Sequence, residues 1–256
     1  MPHGGVLVSF REGFAALASY PEFDPDVEQL LPEIPIALER PRRAPVRAGV
    51  RPAAWKAIAI AERLGALILL LLLLPGLAMA ALTIILLSGR SPLIAHTRVG
   101  RGGCEIRVLK LRTMWGSADA GRRRAWVVEH LPDQPVPELK TPCDPRVQNT
   151  FAAACRKYSI DELPQLWQVV RGDLSLVGPR PVTSSELAEH YGPEAEEVLR
   201  LTPGLTGLWQ IMGRDGLSYR QRRRLDLFLV RNWSFRLYAF ILLATIPRVI
   251  TGRDAW

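Results

Sequence analysis

The longest apolar stretch of the chain dominates its pattern. Residues 64–87 read LGALILLLLLLPGLAMAALTIILL, 24 residues without a charge. A run of about 18 or more such residues is a membrane candidate. At about 1.5 Å of rise per residue it measures roughly 36 Å as a straight helix, enough to cross the hydrocarbon layer. Pro75 lacks a backbone donor and crowds the preceding turn, which costs about 3 kcal/mol inside a helix. Gly76 follows it and eases a sharp bend. Both flanks are basic, with Arg51, Lys56 and Arg63 before the run and Arg90, Arg98 and Arg101 after it. Positive flanks stay on the cytoplasmic side. Two arrangements therefore stand open: a hairpin that dips in, turns at Pro75-Gly76 and leaves on the side it entered, or a span with one basic flank carried across. The run is too long for a secretory signal.

Beyond the run the periodicity shortens. Residues 105–111, EIRVLKL, alternate as a strand does. Residues 117–130 have a helical pattern, and 132–148 are proline-rich and irregular. A helix is predicted over 164–171, with Pro164 suited to a first turn and Gly172 to the stop. Others are predicted over 184–201, begun by Ser184 or Ser185, and over 217–230 and 235–250. The last is apolar along its length but short and bounded by Arg236, Arg248 and Arg253. That suits a core helix or one lying in a membrane interface. Before the apolar run, residues 1–52 hold eight prolines, an acidic stretch and then an arginine-rich one. Such a segment buries no core and is expected to be a flexible arm, apart from a short amphipathic helix over 6–18. The arginines of 40–51 suit a membrane surface or a solvated linker. The domains expected are thus 1–52, a membrane element over 53–88, and a soluble part over 89–256.

Charge and composition narrow the partners. The chain of 256 residues is 48% hydrophobic and carries a net charge of +8. A basic balance points to nucleic acid or an anionic membrane. The apolar run favours the membrane, and aromatics do not interleave the basic runs as a nucleic-acid stacking platform requires. Cys104, Cys143 and Cys155 make an odd count without CxxC, so neither a disulfide framework nor a zinc site is indicated. His3, His96, His130 and His190 are scattered, with no HExxH pattern.

The densest chemistry lies in 156–181, RKYSIDELPQLWQVVRGDLSLVGPRP. Asp161 and Glu162 are adjacent carboxylates at a helix start. One reading is structural: Ser159-x-x-Glu162 has capping-box spacing, and acidic residues complement a helix N-terminus. The other is catalytic. Arg156 lies just upstream, Arg180 sits in the rigid turn Gly178-Pro179-Arg180-Pro181, and Lys110 and Arg112 follow the strand in KLRTM. Two carboxylates among fixed cations suit a metal-bound diphosphate. Magnesium takes one or two carboxylates plus substrate phosphates, arginines grip phosphate oxygens in pairs, and a carboxylate is itself a nucleophile in phosphoryl transfer. No Walker motif and no GxGxxG occurs.

These residues resemble a known family, the bacterial sugar transferases, which are monotopic polyprenyl-phosphate phosphoglycosyltransferases. The landmarks run in order through residues 55–256, about four-fifths of the chain. They are the apolar segment with its central proline, TRVGRGG at 97–103, KLRTM at 110–114, DPR at 144–146, SIDELPQ at 159–165, RGDLSLVGPRP at 171–181 and PGLTGLWQ at 203–210. The resemblance implies an α+β, mainly helical fold: a re-entrant membrane helix hairpin broken at the proline, a cytosolic catalytic domain with interfacial amphipathic helices, and a small strand element. It implies a place on the cytoplasmic face of the bacterial inner membrane. It also implies that Asp161 attacks the sugar-bearing phosphorus of a UDP-sugar, releasing UMP, and that undecaprenyl phosphate then takes the phosphosugar. Glu162, with Asp161, would hold Mg²⁺. Lys110, Arg112, Arg156 and Arg180 would bind phosphates or keep the carboxylates ionised. The partners implied are UDP-sugar, undecaprenyl phosphate and membrane lipid, without nucleic acid, and homo-oligomerisation is left open.

Residues 182–256 look most like the exopolysaccharide-initiating subgroup, which transfers a hexose-1-phosphate of galactose or glucose. Trp209, Gln210 and Arg214 are further candidates for the sugar or lipid site, each with a structural alternative. The chain departs from the family pattern over Gln148–Ala154, at Gln168, where asparagine is common, and at Met212, where serine is usual. The alternative function is an inactive membrane-anchored scaffold of a polysaccharide assembly complex. The intact Asp161-Glu162 pair and Arg180 argue against it.

Overall fold

A computed structural model describes residues 52–115, 147, 149–213 and 217–252. The predicted 6–18 and 117–130 helices, the irregular 132–148 segment save Val147, and Arg214 lie outside the described residues. The chain begins its described part with one long helix, α1 (Pro52–Ser88), which contains Pro75. Helical assignment continues on both sides of the proline, as leucine and alanine neighbours with high helix propensity allow. Among the described residues it is the one helix long and apolar enough to cross a membrane by length and composition.

The helix is amphiphilic in contacts rather than in composition. Ala66, Leu70 and Leu73, before the proline, pack with Ile106, Val108, Leu166, Val169 and Leu174. Leu77, Ala80 and Ile84, after it, pack with Leu111, Trp115, Phe151 and Ile160. The remaining faces leave Leu64, Ile68, Leu72, Met79 and Leu86 exposed. Both halves of one apolar helix therefore bury a stripe on the same folded body and present leucines outward.

Strands β1 (Leu93–Val99) and β2 (Glu105–Leu111) form an antiparallel hairpin with Ile94 opposite Lys110 and His96 opposite Val108. The second strand was legible from its alternation; the first, with His96, Thr97 and Arg98 in it, was not. Helix α2 (Thr150–Lys157) is capped by the Asn149 side chain, which accepts from the Ala152 N–H at 2.7 Å. The sequence segment that departs from the family pattern is thus an ordinary capped helix start. A 3₁₀ turn over Ile160–Gln165 leads into α3 (Leu166–Arg171), which ends at Gly172 with φ 86°. That left-handed stop matches the expected one.

Gln168 on α3 carries its amide across to β2. Its Nε2 donates to the Arg107 carbonyl and its Oε1 accepts from the Leu109 N–H at 2.8 Å. The side chain is buried, so both halves of the amide find partners where water is absent. Gln168 therefore does a specific job, locking the helix after Asp161 to the strand that carries Lys110.

Strand β3 (Ser175–Val177) pairs in parallel with β4 (Gly204–Thr206). Gly178, just past β3, lies against Gly204 of β4. A Cβ on Gly204 would lie 2.1 Å from the Gly178 nitrogen, so no larger residue fits. Between these strands the predicted 184–201 helix is broken into short pieces. They are α4 (Ser184–Glu186), a π-type turn over Leu187–Tyr191, a 3₁₀ turn over Gly192–Glu194 and α5 (Ala195–Val198). The ladder breaks at Gly192, whose positive φ of 51° leaves the helical range, just before Pro193, which has no donor. The cap is Thr183 rather than a serine, in a full capping box with Glu186. After α6 (Leu208–Met212), α7 (Tyr219–Arg231) starts at a second capping box, Ser218 with Gln221. Helix α8 (Phe235–Thr251) starts at Ser234. Its Leu237, Tyr238 and Ile241 are buried, while Leu243, Ile246 and Ile250 are exposed. The first three give it the core role expected of it, and the others are left uncovered.

Candidate active site

The Asp161-Glu162 pair sits on the 3₁₀ turn, between α2 and α3. Ser159, one residue before that turn, has a left-handed backbone (φ 56°) and its side chain makes no cap bond. The capping-box reading of Ser159-x-x-Glu162 therefore fails. Glu162 instead pairs with Lys110 at the end of β2, Nζ to Oε1 2.6 Å. The pair is about a third exposed on each side, 28% and 30%, so its net worth to stability is modest, on the order of 1 kcal/mol or less. Its effect is to fix the direction of Glu162.

Asp161 is the buried member, 7% exposed. Burial is the largest influence on its carboxyl and raises the pKa; the Glu162 charge raises it further. Lys110, Arg156 and the backbone N–H of Asp161 itself pull it down. The outcome is a pKa pushed up to about 6. The sequence expectation was that the cations would hold it low. They act in that direction, but desolvation outweighs them because 3₁₀ packing against α2 and β2 removes water from the carboxylate. At neutral pH the group is ionised yet poorly solvated. The neighbouring Cys155 thiol, buried on α2, is pushed up to about 11 by burial and by Asp161, so it stays a neutral thiol.

The structure brings Asp161, Glu162, Lys110 and Arg156 together. Arg112 is placed differently: its Nε donates to the Ser91 carbonyl at 2.8 Å and its backbone N–H to the Pro92 carbonyl at 2.7 Å. It still shares a neighbourhood with Lys110 and Arg98, since all three depress the His96 pKa, after burial, which is the larger cause. Arg180 belongs to another group. Its guanidinium lies over the Trp209 ring at 5.1 Å, and Arg222 covers the same ring at 4.7 Å. Arg98 and Arg180 both lower the Glu186 pKa, helped by the Thr183 N–H and against burial, the largest cause.

This second group holds residues that the sequence reading missed. Asp226 is fully buried on α7 and accepts from the Tyr191 hydroxyl at 2.7 Å. Burial pushes its carboxyl up to about 7, while the Tyr191 hydrogen bond and the Arg180 backbone N–H work against that rise. Arg222 is pulled down to about 10, by burial and then by the Arg180 charge. The buried Trp209 is thus a platform between two guanidiniums. Asp226 was hidden among three arginines at 222–224, and only its i+3 placement inside an otherwise basic helix face hinted at a buried carboxylate.

Among the described residues no group of three or more histidine, cysteine, aspartate or glutamate side chains could hold a metal by itself. The donor set at Asp161-Glu162 is two adjacent carboxylates, one buried and one about a third exposed. That fits a magnesium ion which completes its octahedron with substrate phosphates and water, and does not fit a closed protein cage.

Comparisons with known proteins place the chain in a family. The family model for bacterial sugar transferases matches residues 54–252. The chain is 38% identical over 210 residues to the exopolysaccharide production protein ExoY of Rhizobium meliloti, covering 81% of this chain and 91% of that protein. It is 39% identical over 199 residues to a UDP-galactose-lipid carrier transferase of Erwinia amylovora, covering 75% of this chain and only 40% of that longer protein. It is 36% identical over 205 residues to a UDP-glucose:undecaprenyl-phosphate glucose-1-phosphate transferase of Caulobacter vibrioides, covering 77% and 71%. With the family model spanning α1, the carboxylate pair and both arginine groups, the chain belongs to the bacterial sugar transferase family.

Proposed function

We propose that this protein is a phosphoglycosyltransferase that moves a hexose-1-phosphate, of galactose or glucose, from a UDP-sugar to undecaprenyl phosphate, and so starts assembly of an exopolysaccharide or another surface glycan. The observation that carries the reading is the buried Asp161 carboxylate, flanked by Glu162, Lys110 and Arg156, inside the span of the family match. Relatives named for galactose and for glucose transfer support the hexose class.

In the first step an Asp161 oxygen attacks the sugar-bearing phosphorus. A P–O bond forms to the carboxylate, the bond to the bridging oxygen breaks, and UMP leaves with that electron pair. In the second step a phosphate oxygen of undecaprenyl phosphate attacks the same phosphorus and returns Asp161 as a carboxylate. Poor solvation of Asp161 suits the first step, because an oxyanion that has lost its water shell attacks without first shedding it. Lys110 and Arg156 keep it ionised and offset the charge of the diphosphate. Arg180, whose guanidinium lies over Trp209, has the fork for a phosphate. Arg112, close to Lys110 in sequence, would add positive charge on the diphosphate side. Glu162, with Asp161, would hold Mg²⁺, which supplies charge neutralisation to the diphosphate.

Helix α1 is one continuous helix through Pro75; in this reading it is a re-entrant element that bends at Pro75-Gly76 in the bilayer, with both ends on the cytoplasmic face of the inner membrane. Support comes from the two halves of α1. Residues from Ala66 to Ile84 touch one folded body on both sides of Pro75. A straight span would carry one of those halves roughly 30 Å away across the hydrocarbon layer. The exposed apolar side chains of α8 would lie in the same interface. The test is UMP release from UDP-galactose and UDP-glucose by detergent-purified protein with undecaprenyl phosphate and Mg²⁺. Release by the native protein, lost in Asp161→Asn and in EDTA, supports the mechanism. Full activity of the variant overturns it.

A further inference from the structure

At the base of α1 a single carboxylate oxygen ties three elements together. Oε1 of Glu62 accepts from the Ser175 hydroxyl at 2.7 Å, from the Leu176 N–H at 3.0 Å, both on β3, and from the Tyr238 hydroxyl at 2.8 Å on α8. The next residue, Arg63, lies against the C-terminus of α3: a Cβ on Gly172 would overlap its guanidinium. Above them Trp55 of α1 stacks on Trp233 at 5.1 Å, and Trp233 meets Tyr238 edge-on at 6.0 Å. None of these groups reaches the Asp161 site. Glu62 and Arg63 hold the segment that leaves it: Gly172 ends α3, which follows Asp161, and Ser175 and Leu176 lie on β3, which runs directly into Gly178-Pro179-Arg180.

A surface glutamate at the entry to an apolar helix is normally solvated and free to move. Here three donors from two other elements converge on one of its oxygens, and charge-assisted bonds of this kind are the stronger ones. The geometry points to Glu62 as a positioning residue that sets the height and tilt of the catalytic face above the bilayer, and so governs access of the lipid substrate in particular. The inference rests on the phosphoglycosyltransferase reading. A UDP-sugar arrives from water and is indifferent to the height of the site. A lipid phosphate is held at headgroup depth by its own tail, so a site displaced by an ångström or two must either lift the lipid or miss it. Loss of the Glu62 clamp therefore penalises one substrate and spares the other.

The test uses the full chain in lipid nanodiscs. Glu62→Ala is expected to raise the KM for undecaprenyl phosphate about tenfold, the equivalent of about 1.4 kcal/mol, with the KM for UDP-sugar unchanged. Glu62→Gln keeps a carbonyl acceptor and is expected to restore most of the loss. Tyr238→Phe, which removes one donor and is less disruptive, is expected to show the same split at smaller size. A second readout needs no turnover. A fluorophore on the exposed Cys104, in a Cys143→Ser background, is quenched by lipids carrying nitroxides at defined depths. Glu62→Ala is expected to change the quenching profile. Equal shifts in both KM values, a Gln variant as impaired as Ala, or an unchanged depth profile would overturn the inference. Absence of product with the native protein would instead strike the phosphoglycosyltransferase reading, and the depth profile would still decide the role of Glu62.

Discussion

Asp161→Asn is expected to make the protein inactive and more stable at the same time. The carboxyl moves from an ordinary pKa of 3.8 to about 6 on folding. A two-unit rise corresponds to about 3 kcal/mol spent at neutral pH to keep a charge in a buried place, at 1.36 kcal/mol per unit. The sign follows from proton counting. Between about pH 4 and 6 the folded protein holds a proton that the unfolded chain has released, so stability falls as pH rises through that window and is flat above it. Asparagine keeps the shape without the charge and escapes the penalty. Thermal unfolding of the two proteins in the same detergent should therefore show the variant melting higher at pH 7 by up to roughly 6–12 °C for a chain of this size. The gap should close towards pH 4. A variant that melts at or below the native protein at pH 7, or a gap independent of pH, would refute the claim that desolvation dominates at Asp161.

Other consequences are open to simple assays. Lys110→Ala removes a charge that lowers the Asp161 pKa, so the acid limb of the turnover profile, expected near pH 6, should move to higher pH; an unmoved limb would mean that another group titrates there. Gln168→Ala removes the partner of the part-buried Arg107 carbonyl and Leu109 N–H, at about 0.5–1.5 kcal/mol for each lost hydrogen bond, and a lowered melting temperature should report it. Gly204→Ala drives a methyl into the Gly178 backbone, and because backbone gives way less than a side chain it should cost at least about 1–3 kcal/mol of overpacking, seen as loss of folded protein on size exclusion.

The sequence alone was enough for the apolar element, the family landmarks and the carboxylate pair. Those signals are local or nearly so: an uncharged apolar run, a strand of alternating residues around Lys110 and a Gly172 stop, although the helix expected to start at Pro164 is instead preceded by a 3₁₀ turn that contains that proline. The same local grammar failed where the chain leaves regular periodicity. The π-type and 3₁₀ turns over 187–194 look helical in composition, and β1 carries too many polar residues to stand out. Partner choice was out of reach. Ser159-x-x-Glu162 fits a capping box by spacing, and only the fold, by bringing Lys110 to 2.6 Å from Glu162, chose the ion pair instead. Composition likewise placed cations around Asp161 without weighing them against burial, which depends on side chains far away in the chain. The separation of Arg180 from the charges that act on Asp161, its seat on Trp209, and the convergence of Ser175 and Tyr238 on Glu62 are all contacts between residues dozens of positions apart. Residue identity states what a group is able to do; desolvation and the choice of neighbour are properties of the packed chain, and they decide which of those abilities is used.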